Sequence, residues 1–188
     1  MTNPLFYAKI LLFGEYGIIE DSQGLTLPYS FYKGTLKFSE TQSDFEKESN
    51  RHLKNYADFL ATLDLPEAFR MDIHAFVADI DNGLFFDSNI PQGYGVGSSG
   101  ALVAAVFEKY SYIRRNPEEI SKDALKELKQ VFGKLESFFH GTSSGIDPLI
   151  CYMNLPILIE NKENVDKVSI QMAQQGKGAV FLIDSGSV

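Results

Sequence analysis

The sequence predicts an α+β fold. Runs of strand character and runs of helical spacing occur in comparable amount along the chain. They do not alternate as β-α-β-α, which argues against a doubly wound parallel sheet. One glycine- and serine-rich segment, residues 91–100, stands apart from both kinds of run and leads directly into an apolar, small-residue stretch.

The elements follow in order. Residues 5–19 read as two β segments around Gly14 and Gly17, and residues 25–39 as a further aromatic and β-branched strand. Residues 41–64 are polar, with Phe45, Leu53, Tyr56, Phe59 and Leu60 at helical spacing, which predicts a surface helix. Residues 71–86 hold two strand-like runs around Asp81-Asn82-Gly83, a hairpin signal. A helix is expected over 101–112. Asn116-Pro117-Glu118-Glu119 predicts a helix start, with Asn as cap and Pro in the first turn. From Asp123, Leu125, Leu128, Val131, Phe132, Leu135, Phe138 and Phe139 predict an amphipathic helix ending near His140-Gly141. Residues 144–153 read as a short helix, and 156–160, 165–172 and 179–184 as strands.

By length the 188 residues are expected to form one domain, or else two small ones. With 17 basic and 25 acidic residues the net charge is −8, which argues against a nucleic-acid-coating protein. No stretch approaches the run of about 18 apolar residues that a membrane span needs, so no membrane partner is expected. A lone cysteine, Cys151, makes no internal disulfide. Residues 1–13 are apolar around Lys9, without a basic leader or a small-residue cleavage site; a cytoplasmic protein is expected. His52, His74 and His140 are widely spaced, which argues against a His/Cys zinc site.

Gly95-Val-Gly97-Ser-Ser-Gly100 matches the dinucleotide pattern, but a Rossmann turn needs a strand running straight into its first glycine and a parallel strand after its helix. Here Pro91, Gln92 and Gly93 intervene, and more helix follows. No lysine follows the glycines as a Walker loop requires. Gly141-Thr-Ser143-Ser-Gly145 matches a nucleophile elbow, but a helix precedes it and no histidine follows Ser143. What remains is a loop whose glycines admit close backbone approach and whose serines open a helix. The unpaired N–H groups and partial positive charge there suit a phosphate, and serine hydroxyls suit its magnesium. The plain alternative is a tight loop capping a buried helix.

Positions 132, 136 and 140 lie one turn apart, so Glu136 sits beside the stripe of Phe132, Leu135 and Phe139. A carboxylate there needs a cation or metal partner, or else tilts into solvent. Asp147 follows a Gly-Thr-Ser-Ser-Gly turn, suited to capping or catalysis, and Lys9 lies inside an apolar strand.

Together these segments resemble the N-terminal part of the GHMP kinases, the superfamily of galactokinase, homoserine kinase, mevalonate kinase and phosphomevalonate kinase. Ala8-Lys-Ile-Leu-Leu-Phe-Gly-Glu15-Tyr16-Gly resembles the first motif, Ile90 to Ala101 the phosphate loop, and His140-Gly-Thr-Ser-Ser-Gly-Ile-Asp147 the mevalonate kinase form of the segment bearing the catalytic aspartate. The resemblance implies a domain like ribosomal protein S5 domain 2, and ATP-dependent, Mg²⁺-assisted phosphorylation of a small-molecule alcohol. It favours mevalonate at its 5-hydroxyl; another GHMP kinase or a non-catalytic nucleotide-binding module is the alternative. It implies that Pro91, Gly93, Gly95, Val96, Gly97, Ser98, Ser99 and Gly100 bind the ATP phosphates, and that Ser99 and Glu136 are magnesium ligands. Asp147 is implied as base for the acceptor hydroxyl and Lys9 as its partner, with Glu15, Tyr16, His140 and Ser144 near the acceptor. Tyr7-Ala8 stands where the family has Pro-Gly, and Tyr16 where mevalonate kinases commonly have His. Family members carry a second domain, so the chain is expected to stop at a boundary, with 179–188 beginning that domain. The apolar face so exposed makes a homodimer a further expectation.

Overall fold

The apolar run from Phe6 opens the chain as a strand, and the sheet is built outward from it. The structure, a computed structural model, describes residues 3–14, 23–113 and 116–169. β1 (Phe6–Phe13) pairs antiparallel with β2 (Gly24–Phe38). The far half of β2 pairs with β3 (Leu84–Ser88), and its first residues pair with β4 (Ile157–Ile159), which pairs with β5 (Val165–Lys167). All these pairings are antiparallel, in one five-stranded sheet among the described residues. Helices complete an α+β domain. The segment 16–19, the strand expected at 179–184 and the start of a second domain at 179–188 lie outside the described residues.

α1 (Asp44–Leu60) starts at a capping box in which Ser43 and Glu46 satisfy each other's backbone N–H. It buries Leu53, Tyr56, Ala57 and Leu60, whereas Phe45 is 58% exposed and does not belong to the buried stripe. The hairpin expected at 71–86 is corrected. Its first arm is a helix, α2 (Ile73–Asp81), capped by the Asp72 side chain accepting from the Ala75 N–H. Phe76 and Ile80, four residues apart, face the core. Asn82-Gly83 ends this helix instead of joining two strands. Gly83 has φ +85°, and a Cβ there would lie 2.3 Å from the Ser39 carbonyl oxygen, so only glycine fits.

α3 (Ser98–Tyr110) is nearly all buried. α4 (Lys122–His140) begins at Ser121, whose hydroxyl accepts from the Ala124 N–H. The start signal at Asn116-Pro117 is therefore corrected too: Asn116 caps a separate single turn, Pro117–Glu119. α5 (Ile146–Met153) follows. The strand expected over 165–172 is found at Val165–Lys167. Phe107 of α3, Phe132 of α4 and Tyr152 of α5 meet with ring centroids 5.0–5.6 Å apart, in tilted and edge-on contacts. That aromatic knot locks the three helices that carry the polar residues described next.

Candidate phosphate and acceptor site

The loop 91–97 is held at the edge of β1: the Lys9 N–H donates to the Val96 carbonyl at 2.9 Å. A register shift between Tyr7 and Ala8 interrupts the alternation of β1, and both Ala8 and Lys9 are buried. Gly93, Gly95 and Gly97 all have positive φ. Gly97 is the N-cap of α3 in left-handed conformation, and no side chain caps that helix. The first N–H groups of α3 therefore present an uncapped helix end. A Cβ on Gly97 would lie 2.9 Å from Lys9 Cγ, so the loop rests directly on the lysine stem.

That stem ends in an ion pair. Lys9 Nζ lies 2.9 Å from Asp147 Oδ1, with the two side chains 11% and 32% exposed. Asp147 stands in the first turn of α5, and Gly100 of α3 touches its backbone: a Cβ there would lie 2.7 Å from the Asp147 carbonyl carbon. Strand β1, the loop, α3 and α5 thus converge on one point.

α4 supplies the other half. Ser99 Oγ donates to Glu136 Oε1 at 3.0 Å and lies 3.2 Å from His140 Nε2. Ser143 Oγ donates to Glu136 Oε2 at 2.5 Å and itself accepts from the Gly145 N–H at 3.0 Å. Glu136 is 3% exposed, so it does not tilt into solvent. Burial pushes its carboxyl above the usual range, helped by the Asp147 charge and opposed by the hydrogen bonds from Ser143 and Ser99 and by His140. A buried carboxyl held this way gains from any cation placed against it.

The oxygen donors suit magnesium. Magnesium takes oxygen ligands, and the Ser99 hydroxyl and the Glu136 carboxylate stand side by side, 3.0 Å apart. Among the described residues no three His, Cys, Asp or Glu side chains are arranged to hold a metal ion by themselves. A magnesium here would take its remaining ligands from water and phosphate, as that ion usually does.

The structure thus brings together Lys9, the loop 93–100, Glu136, His140 and Asp147. His140 reaches Ser99. Ser144 is exposed, with its hydroxyl accepting from the Ile146 N–H at 3.4 Å. Glu15 and Tyr16 lie outside the described residues. Sequence reasoning missed Ser143 as a partner of Glu136, because the seven-residue spacing crosses a helix end where periodicity stops applying. It also missed Cys151, whose thiol lies under the loop at 3.8 Å from the Gly97 carbonyl. Burial, then the Asp147 and Glu136 charges, push that thiol well up, so it is packing and not a nucleophile. The nucleophile-elbow alternative fails, since Ser143 follows a helix and its proton goes to a carboxylate.

The model of the family described as "GHMP kinases N terminal domain" matches residues 55–154, just over half of the chain. The chain belongs to the GHMP kinases. Solved structures of mevalonate kinases share its fold. L. major mevalonate kinase in complex with R-mevalonate superposes with a TM-score of 0.53 at 14% identity, covering 92% of this chain and 53% of the other. The Methanococcus jannaschii mevalonate kinase gives 0.52 at 14% identity, covering 90% and 57%. The chain therefore spans about half the length of these relatives. A search of curated proteins finds no match. No described helix of this GHMP kinase domain is long and apolar enough to cross a membrane.

Proposed function

We propose that this domain is the nucleotide-binding part of a kinase that transfers the γ-phosphoryl group of ATP to an alcohol, with the mevalonate 5-hydroxyl as acceptor. The observation that carries the reading is the pair of buried Lys9 and half-buried Asp147 set against Gly97, where the loop enters an uncapped helix.

Phosphoryl transfer asks mainly for positioning and charge neutralisation. The N–H groups of Ser98, Ser99 and Gly100 bind phosphate oxygens. Ser99 and Glu136 would hold Mg²⁺, which would neutralise phosphate charge. Asp147 orients the acceptor hydroxyl and takes its proton at a carboxylate oxygen. Lys9 fixes Asp147 and faces the transferred group. The choice of mevalonate rests on the His140 to Asp147 segment and on the fold shared with mevalonate kinases.

The test is calorimetric titration with ATP, with and without Mg²⁺, followed by ADP release with mevalonate present. Binding that needs Mg²⁺ and is lost in Ser99→Ala supports the site. Turnover lost in Asp147→Ala with ATP binding kept supports the transfer step. ATP binding without any turnover would leave a nucleotide-binding module, and metal-indifferent binding would remove Ser99 and Glu136 from the assignment.

A further inference from the structure

The kinase reading uses one buried lysine and leaves another without a task. Lys129 is 6% exposed, on the face of α4 turned toward the turn between β4 and β5. Its ammonium donates to the Lys162 carbonyl oxygen, and among the described residues it forms no ion pair. Burial pulls it below the usual lysine range, with the Lys126 charge adding to that and the Glu163 charge opposing it. An ammonium has three donors, and burying one beside a single carbonyl is costly.

Beside it lies a cavity of about 500 Å³. Its lining includes Lys129, Lys134 and Lys162 with the hydroxyls of Thr142, Ser143 and Ser144, and it includes no carboxylate. This is unusual in a chain of net charge −8. Lys9, Ser99 and Asp147 take no part in that lining, so the cavity is distinct from the phosphate loop. Lys134 donates to the Asp64 carbonyl. Of the three lysines Lys129 is therefore the one whose buried charge most needs a counter-ion.

We propose that this cavity, between α4, the 141–145 loop and the β4–β5 turn, is a second binding site, and that its ligand is a small phosphate-bearing anion. Lys129 supplies the buried charge, Lys162 adds to the positive field, and the hydroxyls of Thr142 and Ser144 donate to phosphate oxygens. Charge-assisted hydrogen bonds of this kind are the strong ones. A phosphate supplies several acceptors at once, matching a lining that holds three lysines and several hydroxyls and no carboxylate. The volume holds more than a bare phosphate, which fits a phosphorylated metabolite.

The test uses inorganic pyrophosphate as probe, in EDTA at physiological salt, with backbone amide resonances as readout. Gly133, Thr142 and Ser144 should shift together on a single binding curve. Lys129→Met should weaken that curve at least about tenfold, while shifts at Gly95, Gly97 and Ser98 persist. Thr142→Ala, far less intrusive, should weaken the same curve severalfold, which keeps the test informative if Lys129→Met folds poorly. Shifts confined to residues 95–100, or a curve at Gly133 that neither substitution moves, would overturn the proposal. Because the two sets of resonances report separately, failure of the phosphate loop and failure of this cavity are told apart.

Discussion

Among the described residues two lysines are buried, Lys9 and Lys129, and the fold treats them in opposite ways. Lys9 meets a carboxylate at 2.9 Å, under a loop that packs on its stem. Lys129 meets a backbone carbonyl and opens onto a cavity without acids. Burying a charge is favourable only with a partner of good geometry. At Lys9 the partner is built in and its carboxylate is partly open to solvent, which leaves it able to touch a substrate. At Lys129 the partner is left to come from outside.

The largest effect expected is from breaking the built-in pair. Asp147→Ala strips the counter-charge from Lys9, and on the proposed kinase reading should lower turnover by about 10²- to 10⁴-fold, the usual worth of a positioned proton acceptor. It should also cost stability, on the order of 1–2 kcal/mol, less than a fully buried pair because Asp147 is 32% exposed. Urea unfolding of Asp147→Ala, Lys9→Met and the double variant measures the coupling. If the double variant loses the sum of the single costs, the pair is an accident of packing.

Next is the tightness of the region around that pair. Gly100→Ala places a Cβ 2.7 Å from the Asp147 carbonyl carbon and 2.8 Å from Pro148 N, both backbone, so α3 and α5 must separate. Overpacking of this sort costs about 1–3 kcal/mol, and ATP affinity should fall with it. Gly93→Ala is the control, because a Cβ there meets nothing within 4 Å and only the positive φ opposes it. Equal losses in the two variants would mean that backbone conformation, and not the α3–α5 contact, sets the cost.

A smaller effect separates Ser143 from its neighbours. Its hydroxyl ties Glu136 Oε2 to the Gly145 N–H, linking the proposed metal ligand to the turn that carries Asp147. Ser143→Ala removes one hydrogen bond to a charged group, about 1.5 kcal/mol or some tenfold in the magnesium concentration needed for ATP binding. Ser143→Thr keeps the hydroxyl and should restore most of the loss. No change in the magnesium requirement would reduce Ser143 to a turn former.

Much of this was legible in the sequence, and the misses have physical causes. The loop 91–100 announced itself because several glycines beside two serines have few other uses, and the stripe from Leu125 to Phe139 fixed α4 to within a turn. The elements misread were those where one local signal outweighed a longer one. Asn82-Gly83 suggested a hairpin, yet Ile73, Phe76 and Ile80 already stood at helical spacing behind an Asp cap. Asn116-Pro117 capped a turn, while Ser121, five residues on, capped the helix. Lys9, Glu136 and Asp147 were singled out one by one, but no spacing joins residues 9, 136 and 147. Only the packing of α3, α4 and α5 does. Lys129 was invisible for the same reason, since a lysine on an amphipathic helix reads as solvated until something covers it.

The smallest effect bears on that second lysine. Replacing Lys129 with Met removes a charge whose burial costs free energy, so the ligand-free variant should be slightly more stable than the parent at neutral pH, by less than about 1 kcal/mol. The pH dependence fixes the sign. The folded protein holds the Lys129 proton less tightly than the unfolded chain, whose lysine titrates near its ordinary value of about 10.4. Between those two values the unfolded state binds more protons, so parental stability rises with pH across the window. The burial cost is present in full below it and disappears toward its upper end. The charged groups around Lys129 are Lys126, Lys134, Lys162 and Glu163. The advantage of Lys129→Met in urea midpoint should therefore shrink as pH rises toward that ordinary lysine value. Added pyrophosphate should reverse it by stabilising only the parent, because an anion that binds the folded state alone raises its stability by mass action. An advantage that stays constant with pH would show that Lys129 is already satisfied where it lies, and the contrast between the two lysines would then be one of packing alone.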